Sequence, residues 1–147
     1  MTETRVHVRW MINRDMSEIL EIENEVYLDP WTKEDFLETL RSRNCIGMVA
    51  ETEHKVIGYV LYILERRRFT VMRITVDPSY HRSRVGAQMI EKVKAKLSQN
   101  KRSVIRADAP ESNLRAQLFL KAMGFQCLTI LEEDMTLYRF EYRLEAA

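Results

Sequence analysis

Cysteine is scarce in this chain, and so are histidine, proline and glycine: two, three, three and four residues among 147. Cys45 and Cys127 lie far apart in sequence, each in an apolar, strand-like context. Two buried free thiols are therefore expected rather than a disulfide or a metal pair, which suits a reducing cytoplasm. His7, His54 and His81 show no metal-ligand spacing with one another or with the cysteines, so no metal is assigned. No apolar run approaches the ~20 residues that span a bilayer. The N-terminal MTETRVHVRW lacks the apolar core of a signal peptide, and a cytoplasmic protein is expected. An excess of one charge is missing too. Lys and Arg number 23 against 22 Asp and Glu, a formal net charge of +1, without the basic surplus of a dedicated nucleic-acid binder. The one dense basic run, Arg66-Arg67-Arg68, is expected as a solvated loop between two strands. With neither an internal repeat nor a low-complexity linker, the length suits one domain over residues 1–147 with a sizeable core.

What is present is an ordered alternation of strands and helices. Val6 to Ile12 reads as a strand, and Asn13 or Asp15 caps a helix in which Ile19, Leu20, Ile22, Glu23 and Val26 extend to Tyr27, ended by Asp29-Pro30. Thr32 caps a second helix carrying Phe36, Leu37 and Leu40, with Asp35 at the capping-box position. Cys45 to Glu51, Val56 to Leu64 and Phe69 to Val76 are three strands in succession. Val104 to Ala107 is a short strand, Asn113 caps a further helix, and Gly124 is placed for its left-handed C-terminal cap. Phe125 to Leu131 and Met135 to Leu144 close the chain as two strands. A helix between the strands at 69–76 and 104–107 implies a parallel, right-handed crossover, so the sheet is expected to be mixed.

The most informative stretch is ITVDPSYHRSRVGAQMI, residues 74–90. Asp77-Pro78-Ser79 stops the strand, because proline removes a backbone donor and holds its predecessor extended. From Val85 the apolar residues recur as Val85, Met89, Ile90, Val93 and Leu97, so a helix starts near Arg84 to Gly86. The first amides of a helix lack intrahelical partners and stand at the positive end of its dipole. A phosphate there meets those amides together with Arg82 and Arg84. Gly86 lets a ligand approach the backbone closely. An ordinary strand-to-helix connection with solvated arginines fits the same residues.

This segment resembles motif A of the GNAT superfamily of acetyl-CoA-dependent N-acetyltransferases, Q/R-x-x-G-x-G/A after a strand. Here it reads His81-Arg82-Ser83-Arg84-Val85-Gly86, with His81 in place of Gln/Arg and Arg84 in place of the first glycine. VIRADAPESNLRAQLFLKAMGF, residues 104–125, is similar to the family's second cofactor segment, with Ser112-Asn113 and Gly124-Phe125 at its S-N and G-F positions. VIGYVLY at 56–62 is similar to its glycine-containing central strand. Tyr27-Leu28-Asp29-Pro30-Trp31-Thr32 resembles the P-W-S/T segment before the second helix in RimI-type ribosomal-protein N-alpha-acetyltransferases.

The resemblance implies an α/β (α+β) GNAT fold, a mixed, mostly antiparallel twisted sheet flanked by about four helices. It also implies site roles. Ile74, Thr75 and Val76 present backbone groups to the pantetheine and acetyl portion of acetyl-CoA, and Arg82, Ser83, Arg84, Val85, Gly86 and Ala87 wrap its pyrophosphate. Asn113 contacts the cofactor further along, while Tyr27 and Trp31 line the acceptor groove. The family's general base aligns with Asp108, for which a cap or loop ligand is the plainer role. The tyrosine that serves as general acid in L-Y-x-x-x-G-F aligns with Leu120, the main departure. Tyr138 on the last strand is then the candidate acid, or simply a half-buried strand aromatic. Trp31 could equally staple the two early helices. The expected reaction is direct attack on acetyl-CoA by a primary amine of a protein or peptide N-terminus. A polyamine or aminoglycoside acceptor, or a non-catalytic acyl-CoA-binding module, are the alternatives. The expected state is a monomer or homodimer without membrane or nucleic-acid partners.

Overall fold

A computed structural model describes residues 3–144. Its strands are β1 (His7–Trp10), β2 (Cys45–Thr52), β3 (Lys55–Leu64), β4 (Arg68–Val76), β5 (Val104–Pro110), β6 (Gln126–Glu132) and β7 (Thr136–Arg143). They form one sheet in the order β1-β2-β3-β4-β5-β7-β6. The helices are α1 (Met16–Val26), α2 (Lys33–Leu40), α3 (Val85–Gln99) and α4 (Leu114–Ala122). β4 and β5 pair in parallel, and the other neighbouring strands pair antiparallel. Crossing from β4 to β5 through α3 is the parallel connection expected from the sequence. β5 runs three residues past the expected Ala107, because Asp108, Ala109 and Pro110 keep partners on β7.

Two apolar layers fix the sheet between the helices. One face carries α3 through Val85, Ala87, Met89, Ile90, Val93 and Leu97 against Ile57, Val60, Tyr62 and Phe69. The other carries α1 and α2 through Met16, Ile19, Ile22 and Phe36 against Val49, Tyr59 and Leu61. β3 is therefore buried on both faces from Val56 to Tyr62. Gly58 lets α3 seat closely on this strand, since a Cβ there would stand 3.1 Å from the Met89 methyl and 3.1 Å from the Thr75 carbonyl oxygen.

The register between β3 and β4 slips by one residue, so that Leu61 faces Arg73 while Tyr62 faces Val71, and Met72 is the extra residue of a bulge. A bulge turns every later side chain to the opposite face. Phe69 and Val71 face the α3 layer before it, and Ile74 and Val76 after it. Arg73 and Thr75 accordingly face the α1 layer, opposite Leu61 and Tyr59. Pairing between β4 and β5 also ends here, at Val71 and Ala107. The two strands run on unpaired with each other to Val76 and Pro110.

β6 is an edge strand, and six of its seven residues are exposed. Cys127 is consequently an exposed thiol rather than the buried one its apolar surroundings suggest, whereas Cys45 is buried as expected. Apolar neighbours in sequence do not bury a side chain on a strand paired on one side only. Arg66 and Arg67 are exposed in the β3–β4 turn, as anticipated.

Local chemistry sets the helix ends. At α2 the Thr32 hydroxyl accepts from the Asp35 amide at 3.2 Å, and the Asp35 carboxylate accepts from the Thr32 amide at 2.8 Å. At α4 the Asn113 side chain accepts from the Ala116 amide at 3.0 Å, and Gly124 at φ +90° ends the helix. α3 starts differently. Arg82 and Arg84 both hold left-handed backbone, φ 66° and 63°, in the loop before it. Arg84, at the position of motif A's first glycine, thus holds a conformation that glycine adopts without steric cost. Arg84 extends toward the N-terminal segment, with its Nε 3.7 Å from a Glu3 carboxylate oxygen. The Thr4 amide donates to the Ser83 carbonyl at 3.0 Å.

Two outcomes follow from these ends. Thr32→Ala removes one half of the capping box and is expected to cost about 1 kcal/mol, a fall of roughly 2–4 °C in thermal midpoint by calorimetry. Arg84→Gly relieves the left-handed strain and gives up only an exposed ion pair. It is expected to hold or raise the midpoint, whereas the β-branched Arg84→Val is expected to lower it by about 1–2 kcal/mol of stability.

Candidate active site

β4 and β5 stop pairing beyond Val71 and Ala107, and Ile74 to Val76 and Asp108 lie on the two strands beside that break. Beyond Val71, the β4 edge facing β5 has no strand partner, so Ile74, Thr75 and Val76 lie along an open backbone edge. The loop of residues 81–84 and the first turn of α3 lie at its end. Arg82 and Arg84 turn this loop through left-handed backbone, and the Ser83 amide bonds back to the Tyr80 carbonyl at 3.3 Å. The first amides of α3 have no intrahelical partner and stand at the positive end of its dipole. Arg82 is exposed beside the loop, while Arg84 engages Glu3. Gly86 meets a side chain: a Cβ there would stand 3.3 Å from the Phe119 ring of α4. Its smallness therefore serves the packing of α3 against α4.

His81 joins the two sides of the break. Arg115 of α4 donates to His81 Nδ1 at 2.5 Å, which leaves the ring proton on Nε2 to donate to the Val76 carbonyl at 3.2 Å. Asn113, at the start of α4, spends its side-chain oxygen on the Ala116 amide.

Asp108 and Tyr138 are not brought together. Asp108 pairs in register with Arg139, and Tyr138, one residue away on β7, projects from the opposite face. Both Asp108 oxygens accept from Arg139, Nε and Nη2 each at 3.0 Å. The Tyr138 hydroxyl donates to Glu111 at 3.5 Å, and the charge of Glu111 raises its pKa above the ordinary phenol value. Leu120 is a core residue, 4% exposed, and offers no hydroxyl. Beside Asp108 and Arg139, Arg106 pairs with Glu141 on the same face at 2.8 Å.

A buried polar cluster stands across the break from Asp108, on the α1 face. Glu23 of α1 is fully buried and accepts four hydrogen bonds: from Arg73 Nε and Nη2, from the Tyr59 hydroxyl and from the Trp31 amide. Burial opposes its ionisation, yet the bonds from Arg73, Trp31 and Tyr59 prevail and hold its pKa below the ordinary glutamate range. Burial, and then Glu23 itself, push Tyr59 far above the ordinary phenol value. The Arg73 guanidinium lies over two rings, 4.0 Å from the Tyr27 centroid and 4.6 Å from that of Trp31. The Tyr27 hydroxyl shares a 2.9 Å hydrogen bond with Thr75 Oγ1. Trp31 also meets Phe36 edge to face at 5.1 Å, so it staples the early helices and reaches the break at once.

Glu23, Arg73 and Arg139 were not among the residues singled out from the sequence. Glu23 had a signal: it continues the stripe Met16, Ile19, Leu20 on α1, and a charge on an apolar face demands a partner. Arg73 had none, because only the bulge turns it toward α1.

Comparison with solved structures places this architecture. The ribosomal-protein-S18-alanine N-acetyltransferase from Escherichia coli superposes with a TM-score of 0.87 at 17% identity, over 97% of this chain and 96% of that one. Ard1 from Thermoplasma volcanium gives 0.86 at 17% identity, over 97% and 100%. An aminoglycoside 6'-N-acetyltransferase complexed with coenzyme A gives 0.80 at 8% identity, over 96% and 98%. At these identities the likeness shows the fold. A search of curated proteins finds no match. The model of the acetyltransferase (GNAT) family matches residues 16–125, more than half of the chain and including the break, the loop of residues 81–84 and α4, and the protein belongs to that family of acetyl-CoA-dependent N-acetyltransferases.

Proposed function

We propose that the protein acetylates the α-amine of a protein or peptide N-terminus, the amine attacking acetyl-CoA directly in a ternary complex. The observation that carries this reading is the form of the acceptor side. Asp108 and the Tyr27–Arg73–Trp31 group flank the break on one face of the sheet, and Asp108 is exposed there. The acidic run that a polyamine would need as a closed pocket, Glu132-Glu133-Asp134, is instead exposed at the β6–β7 turn. An open face admits a chain end. A cytoplasmic location accords with an acceptor made there.

The chemistry requires a neutral amine, because an ammonium has no lone pair with which to attack. The nitrogen forms its bond to the acetyl carbon, the carbon–sulfur bond breaks, and the amine proton must be taken up. Arg139 occupies one lone pair on each Asp108 oxygen, and each keeps another with which to hold a water that relays the proton. With Leu120 apolar and the Tyr138 hydroxyl given to Glu111, the thiolate leaves unassisted. A thiol with an ordinary pKa of about 8.5 makes that departure inexpensive at neutral pH. Ile74 to Val76 then align the pantetheine portion along the open edge, and Arg82 to Ala87, with Asn113 nearby, hold the phosphates.

A panel of N-terminal peptides, polyamines and aminoglycosides incubated with acetyl-CoA and read by mass spectrometry tests the acceptor class. Acetylated peptide termini are expected; acetylation confined to polyamines or aminoglycosides would overturn the reading. Asp108→Asn is expected to keep acetyl-CoA affinity by calorimetry and to lower transfer by roughly 10²-fold at neutral pH. That deficit shrinks as pH rises, since more of the amine is then neutral without help. A wild-type rate and pH profile in the variant would remove Asp108 from the mechanism.

A further inference from the structure

Arg73 ties the open edge of β4 to α1 and to the connection that follows it. It projects from β4 directly after the bulge, at the residue where the strand has just lost its β5 neighbour. Its Nε and Nη2 bond the two oxygens of Glu23, which α1 supplies, and its guanidinium lies over both Tyr27 and Trp31, which the α1–α2 connection supplies. The same Glu23 also accepts from the backbone amide of Trp31 at 2.8 Å. Tyr27 returns to β4 through its hydroxyl, 2.9 Å from Thr75 Oγ1. The loop between α1 and α2 is thereby closed onto the open edge of β4 at two residues in succession along one face, 73 and 75.

We infer that Arg73 is the positioning residue of the acceptor site: anchored by Glu23, it holds the Tyr27 and Trp31 rings as the wall against which the acceptor is placed beside the thioester. The inference rests on the reading that the acceptor enters on the α1 face.

Three properties of arginine suit this task. A planar guanidinium can stack on aromatic rings while giving two parallel bonds to a carboxylate, so one side chain fixes both the rings and their anchor. The guanidinium is paired with the buried Glu23 carboxylate, so neither charge is left uncompensated. The rings then have little rotational freedom left to lose when an acceptor binds, which lowers the cost of binding. Leu28, in the middle of this loop, is fully exposed, so the loop is held by Tyr27 and Trp31 and not by the apolar residue between them.

Arg73→Lys separates positioning from folding. Lysine keeps the charge beside Glu23, yet its compact ammonium can neither stack flat on the rings nor bond both oxygens in parallel. Two readouts are needed. In steady-state kinetics the acceptor KM is expected to rise about tenfold or more, with kcat and acetyl-CoA affinity within about threefold of wild type. In a Trp10→Phe background, which leaves Trp31 as the only tryptophan, acrylamide is expected to quench its fluorescence more readily in Arg73→Lys than in the parent. An unchanged acceptor KM with unchanged quenching would overturn the inference. So would a parallel loss of acetyl-CoA affinity and thermal stability, which marks a merely structural residue. If Arg73→Lys does not fold, Glu23→Gln keeps the shape of the anchor without its charge, and the same pattern at reduced amplitude is expected there; its absence would be equally decisive. If the wild type acetylates another class of amine and no peptide, the peptide reading falls, and the KM for that amine together with the quenching still decides the role of Arg73.

Discussion

One extra residue in β4 governs this molecule. Without the bulge at Met72, alternation would carry Arg73 and Thr75 onto the α3 face along with Phe69 and Val71, and would aim Ile74 and Val76 at α1. A buried carboxylate on α1 would then have no cation to meet. The pairing with β5 ends at the same level, so the residue that turns the strand over also marks where it opens. Bulges sharpen local twist, and a sharper twist in one of two parallel strands draws their far ends apart. The opening coincides with that irregularity, and the polar cluster beneath it depends on the turn of Arg73 and Thr75 that the irregularity makes.

The two faces of the break are built from different materials. On the α3 side the contacts are apolar and close, with Gly58 and Gly86 letting helix, strand and the Phe119 ring approach one another. On the α1 side they are ionic and hydrogen-bonded: Glu23 with Arg73, Asp108 with Arg139, Arg106 with Glu141. Apolar packing seats α3 on the sheet, while the loop before it is tied by Arg84 to Glu3 and by His81 to Arg115. Paired charges leave the α1 face beside the break polar and nearly neutral.

How much of this was legible in the sequence depends on the range of the forces involved. Elements set by neighbouring residues were readable: the Thr32–Asp35 capping box, the Pro78 strand stop, the Asn113 cap and the Gly124 helix end all act within four residues. The loop of residues 81–84 was readable in place but not in conformation, because nothing in the identity of Arg84 announces a left-handed backbone. Side-chain roles that depend on two distant strands were not readable. Arg139 is 31 residues from Asp108 and Arg73 is 50 from Glu23, so both partners become visible only once register is known. Cys127 failed for a related reason, since burial on β6 depends on what lies beyond the edge and not on the residues beside it.

The depressed pKa of Glu23 ties the contact between α1 and β4 to pH. Its carboxylate is held below the ordinary range by bonds that exist only in the folded state. The stability it contributes is therefore complete above the unfolded glutamate pKa of about 4.3 and is lost as pH falls through the lower folded value. Protonation there would weaken the hold on Arg73, and with it on Tyr27 and Trp31. Because the folded value lies below the ordinary range, Glu23 keeps its charge in mild acid, and the clamp that joins α1 to β4 yields only to stronger acid.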